Sequence, residues 1–289
     1  MHRMPLCAEV INMNFHSDEW IMEKLKEHYE EALEIYPEER IVGIFLQGSQ
    51  NYGLDVENSD VDTKLIVIPS FYDIAMNKQP ASFTRIREND EHIDVKDIRL
   101  YMNCFRKQNI NFVEILFTKY KIINPKYEEE WYKLVENRES IARYDEKAAI
   151  KCMVGMAREK YHALEHEYPS KIEIIKKYGY DAKQLHHLIR LYYFIISYLK
   201  KDLYENCLTE SYKVNPNIEK HLFDVKNFGL SLPDARWEAE KTLSDIENIY
   251  RLLDVDKFTV DSSVDELLDY VQYRIMKKAI SDELLKGDN

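Results

Sequence analysis

The sequence is short of cysteine, glycine and long apolar runs, and each shortage excludes a class of protein. Its four cysteines, at positions 7, 104, 152 and 207, lie far apart and form no CxxC pair, which argues against a zinc ribbon or a disulfide framework. We therefore expect reduced, buried thiols. No apolar run reaches the roughly 18 residues that a membrane span needs, and the N-terminal segment lacks a secretory signal pattern, so a cytoplasmic location is expected.

Basic residues are also in deficit. Lysine and arginine total 40 against 52 acidic residues, and the net charge is −12. This charge argues against broad electrostatic binding to nucleic acid, which needs a basic surface, and leaves room for a local basic groove. With 45% apolar content and seven glycines in 289 residues, the chain can bury one sizeable core or two modest ones. Its 21 tyrosines are spread along the chain, as packing residues are.

The first 135 residues combine helical and strand patterns. Apolar residues recur at helical spacing over residues 18–35, with Ser17 as the N-cap. Asp97 is the predicted N-cap of a further helix over residues 98–109. Runs of β-forming residues predict four strands, over residues 40–47, 60–69, 83–90 and 91–98.

Beyond Pro125 no strong strand pattern remains. Helical periodicity recurs instead over residues 146–166, 185–199, 234–253 and 264–285. We therefore predict an α+β fold in which a small mixed β-sheet core with flanking helices, residues 1–135, is followed by an all-helical domain, residues 136–289. Met13 is an alternative start of the chain.

Three aspartates are the candidate catalytic and metal-binding residues. Asp60 and Asp62 are two positions apart at the start of a predicted strand, so their side chains point to the same face. Asp94 lies on the polar face of a later strand. If the two strands are neighbours, the three carboxylates converge, and such a group suits two Mg²⁺ or Mn²⁺ ions about 4 Å apart.

A Gly-Ser pair precedes these aspartates. Gly48 ends the first strand, and a residue without a Cβ lets the backbone approach a phosphate closely. The Ser49 hydroxyl and the neighbouring amides are hydrogen-bond donors for that phosphate. A Gly-Ser pair alone is typical of an ordinary turn, and an Asp-x-Asp alone is typical of a solvated strand edge. Their order along the chain, with the aspartates following the Gly-Ser pair, favours a nucleotide site.

The segment GSQNYGLDVENSDVD, residues 48–62, resembles the DNA polymerase beta nucleotidyltransferase superfamily, and within it the predicted-nucleotidyltransferase branch associated with RNA repair. In that branch Gly-Ser, Tyr-Gly and Ser-Asp-x-Asp recur in this order. YGYDAKQLHHLIRL, residues 178–191, is similar to the branch's helical-domain motif. The chain departs from the branch after the DVD, where Thr63, Lys64 and Leu65 stand in place of Arg-Gly.

The resemblance implies a role for each matched residue. Gly48 and Ser49 would hold the β- and γ-phosphates of a nucleoside triphosphate (NTP). Asp60 and Asp62 would ligate both metal ions, and Asp94 would complete the catalytic-metal site. In the second motif, the triphosphate or the acceptor would be bound by Lys183, His187 and Arg190.

The implied reaction is transfer of a nucleoside monophosphate from an NTP to a hydroxyl, with release of pyrophosphate. The acceptor favoured by the resemblance is an RNA 3′ end, and residues 171–200 support it with six basic residues against two acidic ones. The acidic net charge favours the alternative acceptors, a protein hydroxyl or a small molecule. A non-catalytic nucleotide-binding or antitoxin-like module is the alternative from a different class, and no membrane partner is expected.

Overall fold

A computed structural model describes residues 15–213, 215–254 and 257–287. Cys7 and the alternative start Met13 lie outside the described residues. The strands are β1 (Ile41–Gln47), β2 (Asp62–Val67), β3 (Ser82–Ile86), β4 (His92–Asp97) and β5 (Lys121–Ile123). The helices are α1 (Asp18–Ile35), α2 (Phe71–Ala75), α3 (Ile98–Arg106), α4 (Ile110–Val113), α5 (Glu128–Glu136), α6 (Arg138–Ala142), α7 (Glu146–Ala163), α8 (Ile172–Tyr178), α9 (Ala182–Leu199), α10 (Tyr204–Lys213), α11 (Pro216–Lys226), α12 (Leu232–Leu252) and α13 (Ser262–Gly287).

The five strands form one mixed sheet in the order β3-β4-β2-β1-β5. β2 runs parallel to β4, and the pairs β1–β2, β3–β4 and β1–β5 are antiparallel. The strands that carry Asp62 and Asp94 are therefore neighbours, which was the condition for the expected convergence of carboxylates, and the α+β class is confirmed.

One face of the sheet packs against α1. Ser17 caps this helix by accepting a hydrogen bond from the Trp20 amide, as predicted. Alternation along the strands sends one set of side chains to this face. The buried cluster beneath α1 contains Ile21, Leu25, Ile44, Leu46, Leu65, Val67, Ile93 and Val95.

The other face of the sheet packs against the helices that follow it. Phe45 of β1 stacks on Trp131 of α5 with ring centroids 4.4 Å apart. The apolar cluster containing this pair continues through α7 and α9 to Ile275 in α13. One apolar core therefore joins the sheet to the helical region. The domain boundary at residue 135 stays a prediction.

The structure also corrects several sequence predictions. β5 is a strand of three residues at the edge of the sheet, too short for its pattern to be recognised. Helices α8, α10 and α11 were not predicted. Cys104, Cys152 and Cys207 are free thiols, and of these Cys207 is buried whereas the other two are half-buried. Within the described segments, no helix is long and apolar enough to cross a membrane.

Candidate functional site

A cleft of about 670 Å³ lies between the helical region and the end of the sheet at which β1 stops and β2 begins. Its volume lies within the range of about 300–1,000 Å³ that small-molecule sites occupy. One wall is the 48–61 loop, which joins β1 to β2, and the opposite wall comes from α7, α8, α9 and α11. Seven of the eight residues proposed from the sequence line this cleft: Gly48, Ser49, Asp60, Asp62, Lys183, His187 and Arg190. The eighth, Asp94, lies outside that lining.

Gly48 gives the loop its shape. Its backbone has φ 111° and ψ −162°, a conformation that costs residues with a Cβ about 1–3 kcal/mol. This turn lets the chain enter a short 3-10 helix, Ser49–Asn51, directly after β1. Gln47 pairs with Asp62 across the β1–β2 ladder, so the Gly-Ser pair lies next to the start of the strand that carries the aspartates.

The loop is held in place from both sides. Within it, Gln50 Nε2 donates to the Asp60 carbonyl at 2.8 Å, which links the Gly-Ser turn to the DVD segment. From the helical region, Lys226 at the end of α11 donates to the Leu54 carbonyl at 2.6 Å and to Ser59 Oγ at 3.3 Å. The loop to which the sequence assigns phosphate binding is thus held by a lysine far along the chain.

The two aspartates of the DVD segment differ in their surroundings. Asp60 precedes β2, which begins at Asp62, so the predicted strand alternation does not orient the pair. Asp60 is exposed in the cleft. Asp62 Oδ1 accepts hydrogen bonds from the His92 amide at 3.1 Å and from His92 Nδ1 at 3.0 Å, which fixes its carboxylate against β4.

Asp94 forms an ion pair with a lysine of the neighbouring strand. In the parallel β2–β4 register Asp94 pairs with Lys64, and Lys64 Nζ donates to Asp94 Oδ2 at 2.9 Å. Burial lowers the pKa of Lys64, and the attraction of Asp94 acts in the opposite direction. The Lys64 ammonium also lies 4.2 Å from the centre of the Phe112 ring. Asp60 and Asp62 therefore line the cleft, whereas Asp94 lies outside its lining and is paired with an ammonium. The convergence of the three carboxylates stays a prediction.

The donor set fits one divalent ion. Mg²⁺ is commonly bound by one or two carboxylates together with substrate phosphates, and Asp60 and Asp62 line the cleft beside Gly48 and Ser49. The hydrogen bond from Lys64 is to Oδ2 of Asp94, so an ion bound by Asp94 would share this carboxylate with the ammonium. Across residues 15–213, 215–254 and 257–287, no group of three or more His, Cys, Asp or Glu side chains is placed to hold a metal ion. The two-ion site stays a prediction.

A buried carboxylate supports the DVD segment from the α1 side. Glu91 accepts a hydrogen bond from His28 Nε2 at 3.0 Å and from Arg87 at 2.6 Å, and its other oxygen accepts from the Val61 amide at 3.4 Å. Burial opposes its ionisation, but hydrogen bonds, first from His28, lower the pKa of Glu91 to about 2. An ionised Glu91 thus anchors Val61, the residue between the two aspartates.

The second sequence motif has structural roles at its first positions. Gly179 ends α8 in a left-handed conformation with φ 83°, which favours glycine. Tyr180 is buried and donates to the Leu230 carbonyl at 3.0 Å. Asp181 caps α9 by accepting from the Lys183 amide at 2.9 Å. These three residues set the direction of α9 along the cleft.

Three residues of α9 present their side chains to the cleft, as their spacing predicts. Lys183 is exposed. Arg190 stacks on the Tyr52 ring at 3.8 Å, and its Nε has no hydrogen-bond partner. Burial lowers the pKa of His187 well below its ordinary value, so this imidazole is neutral at pH 7. His187 therefore offers the cleft a neutral hydrogen-bonding group, whereas Lys183 and Arg190 supply positive charge.

Sequence reasoning missed several residues of the cleft. Lys160, Lys171 and Lys226 add three more basic side chains to its lining, although no motif surrounds them. Burial, followed by the nearby charge of Lys183, lowers the pKa of Lys226 to about 8. Glu114 also lines the cleft, and burial raises its pKa to about 8. Of these four residues only Lys160 lies in a helix that the sequence predicts, and no sequence pattern placed any of them opposite the 48–61 loop.

Comparisons with known proteins give a likeness at the level of three-dimensional structure. No protein-family profile matches the chain, and no curated protein matches it. Among solved structures, the chain is similar to a nucleotidyltransferase-like protein from Exiguobacterium sibiricum 255-15, with 10% identity and a TM-score of 0.31, over 88% of this chain and 78% of that chain.

Proposed function

We propose that the protein is a nucleotidyltransferase that moves a nucleoside monophosphate from an NTP to an acceptor hydroxyl. The proposal rests on one observation, which is that two chemically different groups of residues line the same cleft. Gly48, Ser49, Asp60 and Asp62 come from the sheet side, and basic residues come from the helical side. A triphosphate needs both positive charge and backbone donors, and a bound divalent ion needs carboxylates.

Different residues of the cleft would bind the phosphates and the metal ion. Ser49 and the adjacent amides would donate to the terminal phosphates, while Lys183 and Arg190 would offset their charge. Asp60 and Asp62 would hold Mg²⁺ or Mn²⁺, which when bound offsets the negative charge that develops on the phosphates. Catalysis would come mostly from positioning and from charge stabilisation in a cleft that limits access of water.

An RNA 3′ end is the proposed acceptor. Five basic side chains line the cleft in a protein of net charge −12: Lys160, Lys171, Lys183, Arg190 and Lys226. A triphosphate with its metal ion uses part of this charge, and the remainder suits the phosphates of a polynucleotide end. Nucleotidylation of a protein or small-molecule hydroxyl is the alternative acceptor reaction, favoured by the overall acidity.

A non-catalytic nucleotide-binding module is the second candidate. The hydrogen bond between Lys64 and Asp94 favours it, because the ammonium competes with a metal ion for this carboxylate. Such a module would bind an NTP through the same residues without transferring any part of it.

A labelling experiment tests these proposals. The protein is incubated with each α-labelled NTP and Mg²⁺ or Mn²⁺, and is offered total RNA, a protein lysate or no added acceptor. The matched control is the double variant Asp60→Ala, Asp62→Ala. We expect label in RNA with the wild type and none with the variant. Label in protein would identify the alternative acceptor. NTP binding without any transfer would support the binding module, and equal labelling by the double variant would refute the proposed site.

A further inference from the structure

We propose that the buried part of the cleft around Glu114 is a nucleobase subsite, in which this carboxyl hydrogen-bonds the edge of the base and apolar side chains cover its faces. The proposal rests on the proposed function, because it assigns the base of the same NTP. It makes Glu114 a binding residue for the base, distinct from the residues that face the phosphates.

Glu114 has an unused hydrogen-bonding atom. The residue is 3% exposed and lines the cleft, and its Oε1 atom has no hydrogen-bond partner. An unsatisfied buried polar atom costs about 1–3 kcal/mol, and such a group is commonly satisfied by a ligand. Arg190 is the neighbouring residue with the same property, since its Nε also lacks a partner.

The surroundings of Glu114 suit a flat apolar ring. Ile110, Leu191, Phe194 and Leu208 line the same cleft as Glu114, and each is at most 7% exposed. Small-molecule sites combine such apolar walls with a few polar groups that fix orientation. A nucleobase has this character, with two apolar faces and a polar edge, whereas the triphosphate has none of it.

The protonation state of Glu114 determines which edge of a nucleobase this carboxyl can hydrogen-bond. Burial raises its pKa to about 8, against the opposing charge of Arg190, so the carboxyl is neutral at pH 7. A neutral carboxyl has one O–H donor and one carbonyl acceptor. It therefore pairs with a base edge that carries a donor beside an acceptor, such as the amino group and ring nitrogen of adenine. An ionised carboxylate only accepts, and it matches the two adjacent N–H groups of guanine.

Two groups face Glu114 from the elements packed around it. Arg190 approaches from α9, and Tyr204 approaches from α10. Burial raises the pKa of Tyr204 well above its ordinary value, so this hydroxyl stays neutral below pH 9. Arg190 keeps its charge at every pH of interest. Lys226, whose pKa burial lowers to about 8, also titrates in the cleft, so a change in base binding near pH 8 reports on Glu114 once the response of a ligand without a base is subtracted.

Binding titrations test the subsite with ATP and with inorganic tripolyphosphate, which has the phosphates but no base. The variants are Glu114→Gln, whose amide keeps one donor and one acceptor, and Glu114→Met, which keeps neither. We expect Glu114→Met to bind ATP at least tenfold more weakly and to bind tripolyphosphate unchanged. Glu114→Gln is expected to bind ATP within about threefold of the wild type. Equal loss for both ligands, or no loss for ATP, would refute the subsite.

A pH series gives a second readout in case Glu114→Met does not fold. Between pH 7 and pH 9 the affinity of the wild type for ATP should fall at least fivefold more than its affinity for GTP, while Glu114→Gln should show no such difference. A parallel pH response of the two nucleotides in both proteins would refute the role of Glu114. Tripolyphosphate controls for titration of Lys226 and of the phosphates. Failure of the proposed function is distinguishable, because nucleotidyl transfer would then be absent even where ATP binds, and a cleft that takes no NTP at all would bind neither ATP nor tripolyphosphate.

Discussion

Lys64 Nζ lies 2.9 Å from Asp94 Oδ2, across two parallel strands whose register places the residues side by side. The lysine side chain is 3% exposed and the aspartate side chain 24%. Asp94 has two candidate roles, one in catalysis and one as the partner of Lys64 that stabilises the sheet.

Replacing Asp94 separates these two roles. Asp94→Asn leaves the Lys64 ammonium buried beside a neutral partner, and breaking a buried ion pair in this way costs about 3 kcal/mol or more. We expect a lower free energy of unfolding in urea titrations, together with loss of nucleotidyl transfer.

The double variant Lys64→Met, Asp94→Asn is the control for that experiment. It removes both charges and should recover most of the lost stability, since neither ion remains unpaired. If transfer also recovers, Asp94 is a structural partner of Lys64. If stability recovers and transfer does not, Asp94 acts in the reaction.

Gly48 is predicted to be intolerant of any side chain. Its φ of 111° and ψ of −162° make Gly48→Ala destabilising by about 1–3 kcal/mol. Because the turn aligns Ser49 with the aspartates, affinity for tripolyphosphate should fall as well. Urea unfolding and binding titrations measure the two effects.

The control for Gly48 is a glycine without such a constraint. A Cβ added at Gly155, within α7, would meet nothing within 4 Å. Gly155→Ala should therefore stabilise the helix by about 0.5–1 kcal/mol and leave binding unchanged. Equal loss of stability in the two variants would contradict the assignment of strain to Gly48.

Much of the fold follows from local patterns in the sequence. The capped helix α1 and strands β1, β2 and β4 have strong periodicity, and each lies within about two residues of its predicted bounds. The Gly-Ser turn and Asp62 could be placed because adjacent strands bring them together. The three α9 residues share a face because helical spacing dictates it.

The remaining features depend on contacts between distant segments. β5 gains its identity from pairing with β1, not from its own three residues. The Lys64–Asp94 bond requires both the parallel register and the burial of that face. The bond from Lys226 to the 48–61 loop joins residues more than 150 positions apart, and no local pattern contains such information.

Lys226 is predicted to support phosphate binding from outside any motif. Lys226→Met removes the donor to Leu54 and Ser59 and one positive charge from the cleft, so affinity for tripolyphosphate should fall about tenfold. Lys226→Arg should restore most of it. Lys220, exposed on the same helix and outside the cleft lining, provides the control, since Lys220→Met should change nothing.

The pH dependence of Lys226 follows from its lowered pKa. Burial lowers the pKa of this amine to about 8, so the wild type loses its charge as the pH rises through 8. Lys226→Arg keeps its charge at that pH. Tripolyphosphate affinity should decline between pH 7 and pH 9 in the wild type by several-fold more than in Lys226→Arg. Parallel declines would show that another group governs the response.

Glu114 should make the protein less stable in alkaline solution. Burial raises its pKa from 4.5 to about 8 in the folded state, so the folded protein binds its proton more tightly than the unfolded chain does. The resulting stabilisation is fully present below about pH 4.5 and is lost as the pH rises through 8. Each tenfold change in proton affinity is worth about 1.4 kcal/mol, which places the loss on the order of 3 to 5 kcal/mol.

Comparison with Glu114→Gln isolates this contribution, because every other titrating group is common to the two proteins. The free energy of unfolding, measured in urea at pH 5 and pH 8.5, should fall more in the wild type than in the variant. An equal fall would mean that Glu114 ionises with an ordinary pKa. It would then be a carboxylate at pH 7, and the subsite would favour the two adjacent N–H groups of guanine over adenine.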